Sequence, residues 1–168
     1  SAARLCISVP ITEPAYAAHS LPSTPMRIVL QRVSRASVIV GGRTIAAIGA
    51  GLVALVGIAC DDTTADVDAL AAKTVALRIF DDPDGFRAVG EVGGSVLVVS
   101  QFTLLADTRR GRRPSWAGAA PADVAHPLVA RYAQQIASAG VPVAEGEFGA
   151  HMAVDLVNDG PVTIVLEA

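Results

Sequence analysis

Residues 51–60 read GLVALVGIAC. A bilayer crossing takes roughly 18 apolar residues or more, so this run is too short to be a membrane span. Its Val, Leu and Ile content marks it as a strand buried in a core. Upstream, residues 27–40 (RIVLQRVSRASVIV) read as two strands interrupted near Ser34 and Arg35 and closed by Gly41-Gly42, and residues 44–48 read as a further short strand. Strands this closely spaced predict hairpins, and therefore an antiparallel or mixed sheet.

Beyond the run the period changes. Val67, Leu70, Thr74 and Leu77 recur at spacings of three and four, which predicts a helix from Thr64 to near Phe80, with Asp66 and Asp68 in its first turn and the cluster at 81–85 ending it. A short extended segment is expected over 87–92. Residues 95–107, SVLVVSQFTLLAD, hold a second central strand that ends abruptly in Ser100, Gln101 and Thr103. Either these groups are delivered to the edge of the core as part of a site, or they cap neighbouring backbone. Val124, Leu128, Tyr132 and Ile136 recur every four residues and predict a second helix over 123–139, stopped by Gly140. Pro127 costs that helix little only if it falls in the first turn. Strand is expected again over 143–148 and 152–157, and once more after Asn158, Asp159, Gly160 and Pro161. About seven strands and two long helices without internal repeat predict one α+β domain, its sheet covered by helices on one side.

Composition narrows the chemistry. The chain has 168 residues, enough for one domain. Four of the ten prolines and no glycine fall in residues 1–25, which are read as a partly disordered extension preceding a domain at 26–168. Hydrophobic residues make up 52% and charged ones 17%. That surface is poor in charge and suits burial against a second subunit, although abundant Ala and Gly account for the figures equally well. Thirteen basic and sixteen acidic residues give 13 − 16 = −3, so a polyanion would need a local patch. Arg109, Arg110, Arg112 and Arg113 around Gly111 are the one basic concentration, with Trp116 nearby. They either clamp RNA phosphates while Trp116 stacks on a base, or pair with Asp107 and the acidic cluster at 81–84.

Cys6 and Cys60 are too few for a disulfide framework, which predicts a reduced, cytoplasmic chain. Neither GxGxxG in a strand-to-helix setting, nor GxxxxGK[ST], nor HExxH is present, and the His and Cys residues lack metal-ligand spacing; no cofactor and no metal are expected. His151 is read as a surface or satisfied residue in preference to a general base. Gly160-Pro161 between two extended stretches is unusual, because proline removes an amide donor from a sheet. A cis bond and a simple bulge both fit.

Four stretches, MRIVLQRVSRASV, IGAGLVALVGI, LVVSQFTLLADTRRGRRPSW and VDLVNDGPVTI, resemble the D-aminoacyl-tRNA deacylase family, the D-tyrosyl-tRNA(Tyr) deacylase type with a Gly-Pro motif. The resemblance spans nearly all of 26–168 and is most specific at SQFTL (100–104) and NDGPVT (158–163). It implies a barrel-like sheet and a homodimer in which Gly160 and Pro161 of one subunit, joined by a cis bond, complete the site of the other and exclude L side chains. It implies D-aminoacyl-tRNA as substrate, together with glycine mischarged on tRNA(Ala). Carried onto this chain, Ser100, Gln101, Phe102 and Thr103 line the pocket for the aminoacyl group and terminal adenosine. Met152 flanks the adenine and Arg32 holds the Gly-Pro turn. Hydrolysis is expected to use the 2′-hydroxyl of the tRNA, with Thr103 the alternative nucleophile. His151 and Asp155 stand where the family commonly has an acidic and a small polar residue. A non-catalytic tRNA-end-binding or dimeric scaffold protein is the reading of a different class.

Overall fold

The computed structural model describes residues 25–109 and 111–168. The expected extension therefore lies, apart from Pro25, outside the described residues, and so does Arg110. The elements run β1 (Arg27–Val40), β2 (Arg43–Ile48), β3 (Gly51–Gly57), α1 (Thr64–Ala76), β4 (Arg78–Asp82), β5 (Gly85–Ala88), β6 (Ser95–Ser100), a 3-10 turn (Phe102–Leu105), α2 (Ala122–Ser138), β7 (Val143–Glu145) and β8 (Ala153–Glu167). The order in the main sheet is β2-β1-β3-β6-β7, with β8 along the other edge of β1. Pairings of β1 with β2, β3 and β8 are antiparallel, whereas β3-β6 and β6-β7 are parallel. β2 also touches β6 and β7, so the sheet curls almost into a barrel.

This curl explains why β3 and β6 are apolar throughout. Leu52, Ala54 and Val56 of β3 and Val96 and Val98 of β6 face the helices, in one core with Val67, Leu70, Tyr132 and Ile136. Val53, Leu97 and Val99 point the other way, into a second core inside the curl with Val33, Ala36 and Val38. Residues alternate faces along a strand, and here both faces are covered. At the start of the parallel pair, a Cβ on Gly51 would lie 1.9 Å from Ser95 O, so only glycine fits there.

Several boundaries differ from the sequence reading. Residues 27–40 form one strand, not two. Its register against β8 shifts on both sides of Val33, and its other edge passes from β3 to β2. The irregularity bends the strand and does not end it. Helix α1 stops at Ala76, short of Phe80, because residues 78–82 leave to form a separate hairpin with β5. Phe80 reaches the core from that hairpin, and four residues of apolar pattern cannot separate a last helical turn from a strand. Pro127 lies in the second turn of α2, where it removes one internal hydrogen bond. The final two stretches are a single strand, β8, running through Gly160-Pro161, whose peptide bond is cis. The total is eight strands among the described residues.

Local chemistry fixes the helices. Thr63 caps α1 reciprocally with Asp66: the threonine hydroxyl accepts from the Asp66 amide, and the carboxylate accepts from the Thr63 amide at 2.8 Å. Arg131 of α2 grips Asp68 of α1 with two bonds of 2.7 Å. Beneath them Thr74 donates to Leu70 O at 2.8 Å, leaving its oxygen to accept from the buried Tyr132 hydroxyl at 2.7 Å. No helix among the described residues is long and apolar enough to cross a membrane.

Candidate active site

Strand β6 carries its chain past the sheet in a fixed direction. The Gln101 amide still donates to Val56 O of β3 at 2.7 Å, and the 3-10 turn follows at once, with Leu104 N–H donating to Gln101 O at 3.2 Å. Gly57 makes this possible. A Cβ there would stand 2.5 Å from Leu105 Cδ2 and 2.8 Å from Gln101 O. Gln101 Nε2 donates to Thr103 Oγ1 across the turn. Both uses foreseen for the polar groups therefore occur side by side: Gln101 and Thr103 bond locally, while Ser100 and Gln101 border a cavity.

That cavity has a volume of about 450 Å³, within the range that holds small ligands. Val56, Ile58, Val99 and Val129 supply apolar surface. Ser100, Gln101 and Phe102 come from the end of β6; Ala120, Ala122 and Ala125 from α2 and its approach; Phe148, His151 and Met152 from the segment leading into β8. Phe102 is exposed and meets Trp116 edge to face, ring centroids 5.8 Å apart. Phe148 stacks on His126 at 4.6 Å. A Cβ on Gly146 would fall 2.7 Å from Met152 Sδ, so this glycine makes room for the methionine. Thr103 stands beside the cavity, tied to Gln101, and is not part of its wall. No cluster of His, Cys, Asp or Glu among the described residues could hold a metal.

The remaining predicted residues gather elsewhere. Val154 borders the cavity, but Gly160 lies six residues further along β8, roughly 20 Å at about 3.3 Å per residue. Gly160 and Pro161 are exposed, and the segment before them is held by Arg32. Arg32 is only 5% exposed. Its Nε donates to Asp159 O at 3.1 Å and approaches Asp159 Oδ2 at 3.1 Å; Nη2 pairs with Asp81 Oδ2 at 3.0 Å, and Nη1 donates to Ile79 O. Its guanidinium carbon lies 6.0 Å from the Phe80 ring centroid. Asn158 Nδ2 returns a bond to Arg32 O at 2.9 Å.

Of the arginine loop, Arg109 is engaged: its Nε and Nη2 grip Asp107 at 2.9 and 2.8 Å, and that carboxylate raises the arginine pKa further. Arg112 and Arg113 are exposed. Among the described residues, Asp81 and Asp82 of the acidic cluster serve other arginines, Asp81 pairing with Arg32 and Asp82 with Arg87.

A family model described as D-Tyr-tRNA(Tyr) deacylase matches residues 29–167. The chain belongs to the D-Tyr-tRNA(Tyr) deacylase family. A relative from Roseiflexus castenholzii, called D-aminoacyl-tRNA deacylase, is 55% identical over 145 residues, which is 85% of this chain and 92% of the relative. One of the same name from Opitutus terrae is 56% identical over 146 residues, 85% of this chain and 97% of the relative. A solved structure described as c-Myc DNA Unwinding Element Binding Protein superposes with a TM-score of 0.79 at 39% identity, covering 84% of this chain and 98% of its own. For a deacylase-family chain, the sequence reading missed the cavity wall at 148–151, the small residues of α2 and the acidic partners of Arg32. Ala120, Ala122 and Ala125 carry no chemical signature, and Asp81 looked like turn composition.

Proposed function

We propose that this protein hydrolyses the ester between a D-amino acid, or glycine, and the terminal adenosine of tRNA, working as a homodimer in the cytoplasm. The observation carrying this reading is the small apolar cavity edged by Ser100, Gln101, Phe102 and Met152, in a chain more than half identical to proteins called D-aminoacyl-tRNA deacylases. The aminoacyl group and adenosine enter the cavity, with Met152 beside the adenine. Gly160-Pro161 lies too far along β8 to serve its own cavity, so a second copy supplies it. The long free edge of β8, with Val157 and Val165 exposed, supports such pairing, since open edges recruit a partner. A wall of main chain from the partner then rejects L side chains by steric exclusion, and accepts glycine because it has none.

No general acid–base pair is needed. An aminoacyl ester is already activated, and holding it against the 2′-hydroxyl of its own ribose contributes through proximity. Amide groups at the start of the 3-10 turn, Phe102 and Thr103, have no acceptor within the turn and would receive the developing oxyanion. Thr103 serves by fixing Gln101. Arg109, Arg112 and Arg113 hold the RNA backbone near the mouth, and Arg110 belongs to the same basic stretch of sequence.

Turnover of D-Tyr-tRNA, L-Tyr-tRNA and Gly-tRNA(Ala) tests the reading: release from the first and third, with the L ester untouched, is expected. Thr103→Ala should retain turnover. Abolished turnover with substrate still bound normally would restore the threonine as nucleophile. A cavity wall almost free of titratable groups also suits a non-catalytic tRNA-end-binding protein or scaffold. Binding without any turnover would select that alternative.

A further inference from the structure

His151 is the one titratable side chain in the wall of the cavity. It is exposed, and no described residue pairs with it in a salt bridge or a side-chain hydrogen bond. A lining residue that is itself exposed belongs to the rim of the pocket and not to its apolar depth. Resting on the deacylase reading above, we propose that His151 is a substrate-binding residue: its protonated imidazole contacts the phosphate that joins the terminal adenosine to the rest of the tRNA.

The chemistry of the site favours a phosphate over other partners. Whatever fills the cavity to its apolar floor must be the terminal aminoacyl-nucleoside, so the strand leaves through the mouth, where its first charged group is that phosphate. An imidazolium near the α-ammonium of the aminoacyl group would be repulsive, and the rest of the cavity lining offers only Ser, Gln and apolar residues. Beyond Arg109, Arg112 and Arg113 of the arginine loop, charged groups on the surrounding elements are few. Glu147 lies on the same segment and Glu145 on β7; Asp123 and His126 are on α2, with His126 stacked on Phe148; Asp155, next on β8, is engaged by Arg35 at 3.5 Å. From β3, β6 and the 3-10 turn no charged side chain borders the cavity.

A histidine changes charge between pH 5 and 8. The contact therefore exists at the acid end of that window and is lost as pH rises. The uncatalysed ester chemistry has its own pH dependence, so the informative quantity is the ratio of variant to wild type at each pH. For His151→Gln on D-Tyr-tRNA, KM should rise relative to wild type by about five-fold at pH 5.5, the scale of one exposed charge pair, with kcat unchanged. Near pH 8 the two should coincide. His151→Arg should keep the low KM at both pH values, and the difference should shrink in high salt. On 3′-O-D-tyrosyl-adenosine, which has no phosphate, wild type and His151→Gln should behave alike throughout. His126→Gln should leave the pH profile of KM in place.

Parallel KM profiles for wild type and His151→Gln on tRNA would overturn the proposal, as would an equal effect on the phosphate-free ester. A wild-type protein that releases nothing from D-Tyr-tRNA at any pH would instead overturn the deacylase reading itself. Should His151→Gln fold poorly, the pH-independent KM of His151→Arg carries the same decision.

Discussion

Replacing Arg32 by lysine tests how the Gly160-Pro161 segment is held. The guanidinium serves two sides at once: Nε meets the backbone and carboxylate of Asp159, while Nη1 and Nη2 meet Ile79 O and Asp81. An ammonium is a single point and can satisfy one side only. The carboxylates of Asp81 and Asp159 are 73% and 55% exposed, so water replaces much of what each loses, and each contact counts for well under 1 kcal/mol. The carbonyl bonds are closer to about 1 kcal/mol each, and a strongly hydrated ammonium is poorly suited to a site only 5% exposed. Together the loss comes to about 2 kcal/mol. For a chain of this size that lowers Tm by roughly 4–8 °C and leaves the protein folded at 25 °C. Because Asp159 adjoins Gly160, turnover of D-Tyr-tRNA should fall by about ten-fold or more from misplacement alone. Thermal melts and single-turnover kinetics on the same preparation give both numbers. A variant with unchanged Tm and full turnover would refute the view that this arginine holds the segment.

Gly160→Ala should leave Tm within about 2 °C, since within its own subunit the new methyl meets only the Asn158 side chain at 3.1 Å, yet it should abolish turnover or weaken the dimer by crowding the neighbouring cavity; chromatography with light scattering alongside the deacylation assay separates these results. Tyr132→Phe should cost about 1 kcal/mol in chemical denaturation, because the phenol donates to Thr74 while Thr74 remains satisfied by Leu70 O. The Arg131 hydrogen bond holds the Asp68 carboxyl below the usual carboxylate range, so its contribution is present above about pH 4 and is lost as pH falls through the lowered folded value. The Tm difference between wild type and Asp68→Asn should accordingly be full at pH 6 and close progressively in acid.

What the sequence made legible follows from which physical signals are local. Strands β3 and β6 were readable because burial on both faces leaves no polar residue to blur the pattern, and α2 because Leu128, Tyr132 and Ile136 keep one face in the core. The end of α1 was not, because Phe80 is equally apolar in a helix or a hairpin and its place is decided by packing against distant residues. The break read into β1 was a bend, since exposed Ser34 and Arg35 look the same in a loop as on a bulge. At the site, SQFTL and NDGPVT were recognisable as motifs, and the family resemblance implied that they meet only across two subunits, but the residues themselves carried no sign of the distance between them. That distance comes from the register of β8, which places Val154 at the cavity and Gly160 roughly 20 Å beyond it.

That separation bears on how the protein can fail. If the two motifs met within one chain, Arg32 and the cavity would be coupled through β1 and β8, and damage to either would appear in both binding and stability. If, as proposed, the Gly-Pro segment is presented to a neighbour instead, one subunit bearing a sound cavity and another bearing a sound segment make one working site between them. Mixing Gly160→Ala subunits with subunits disabled at Ser100 or Met152 should therefore restore activity, to about one site per mixed dimer, whereas an arrangement within one chain permits no rescue. Complementation of this kind reads the geometry directly, because no change in stability or tRNA affinity can mimic it.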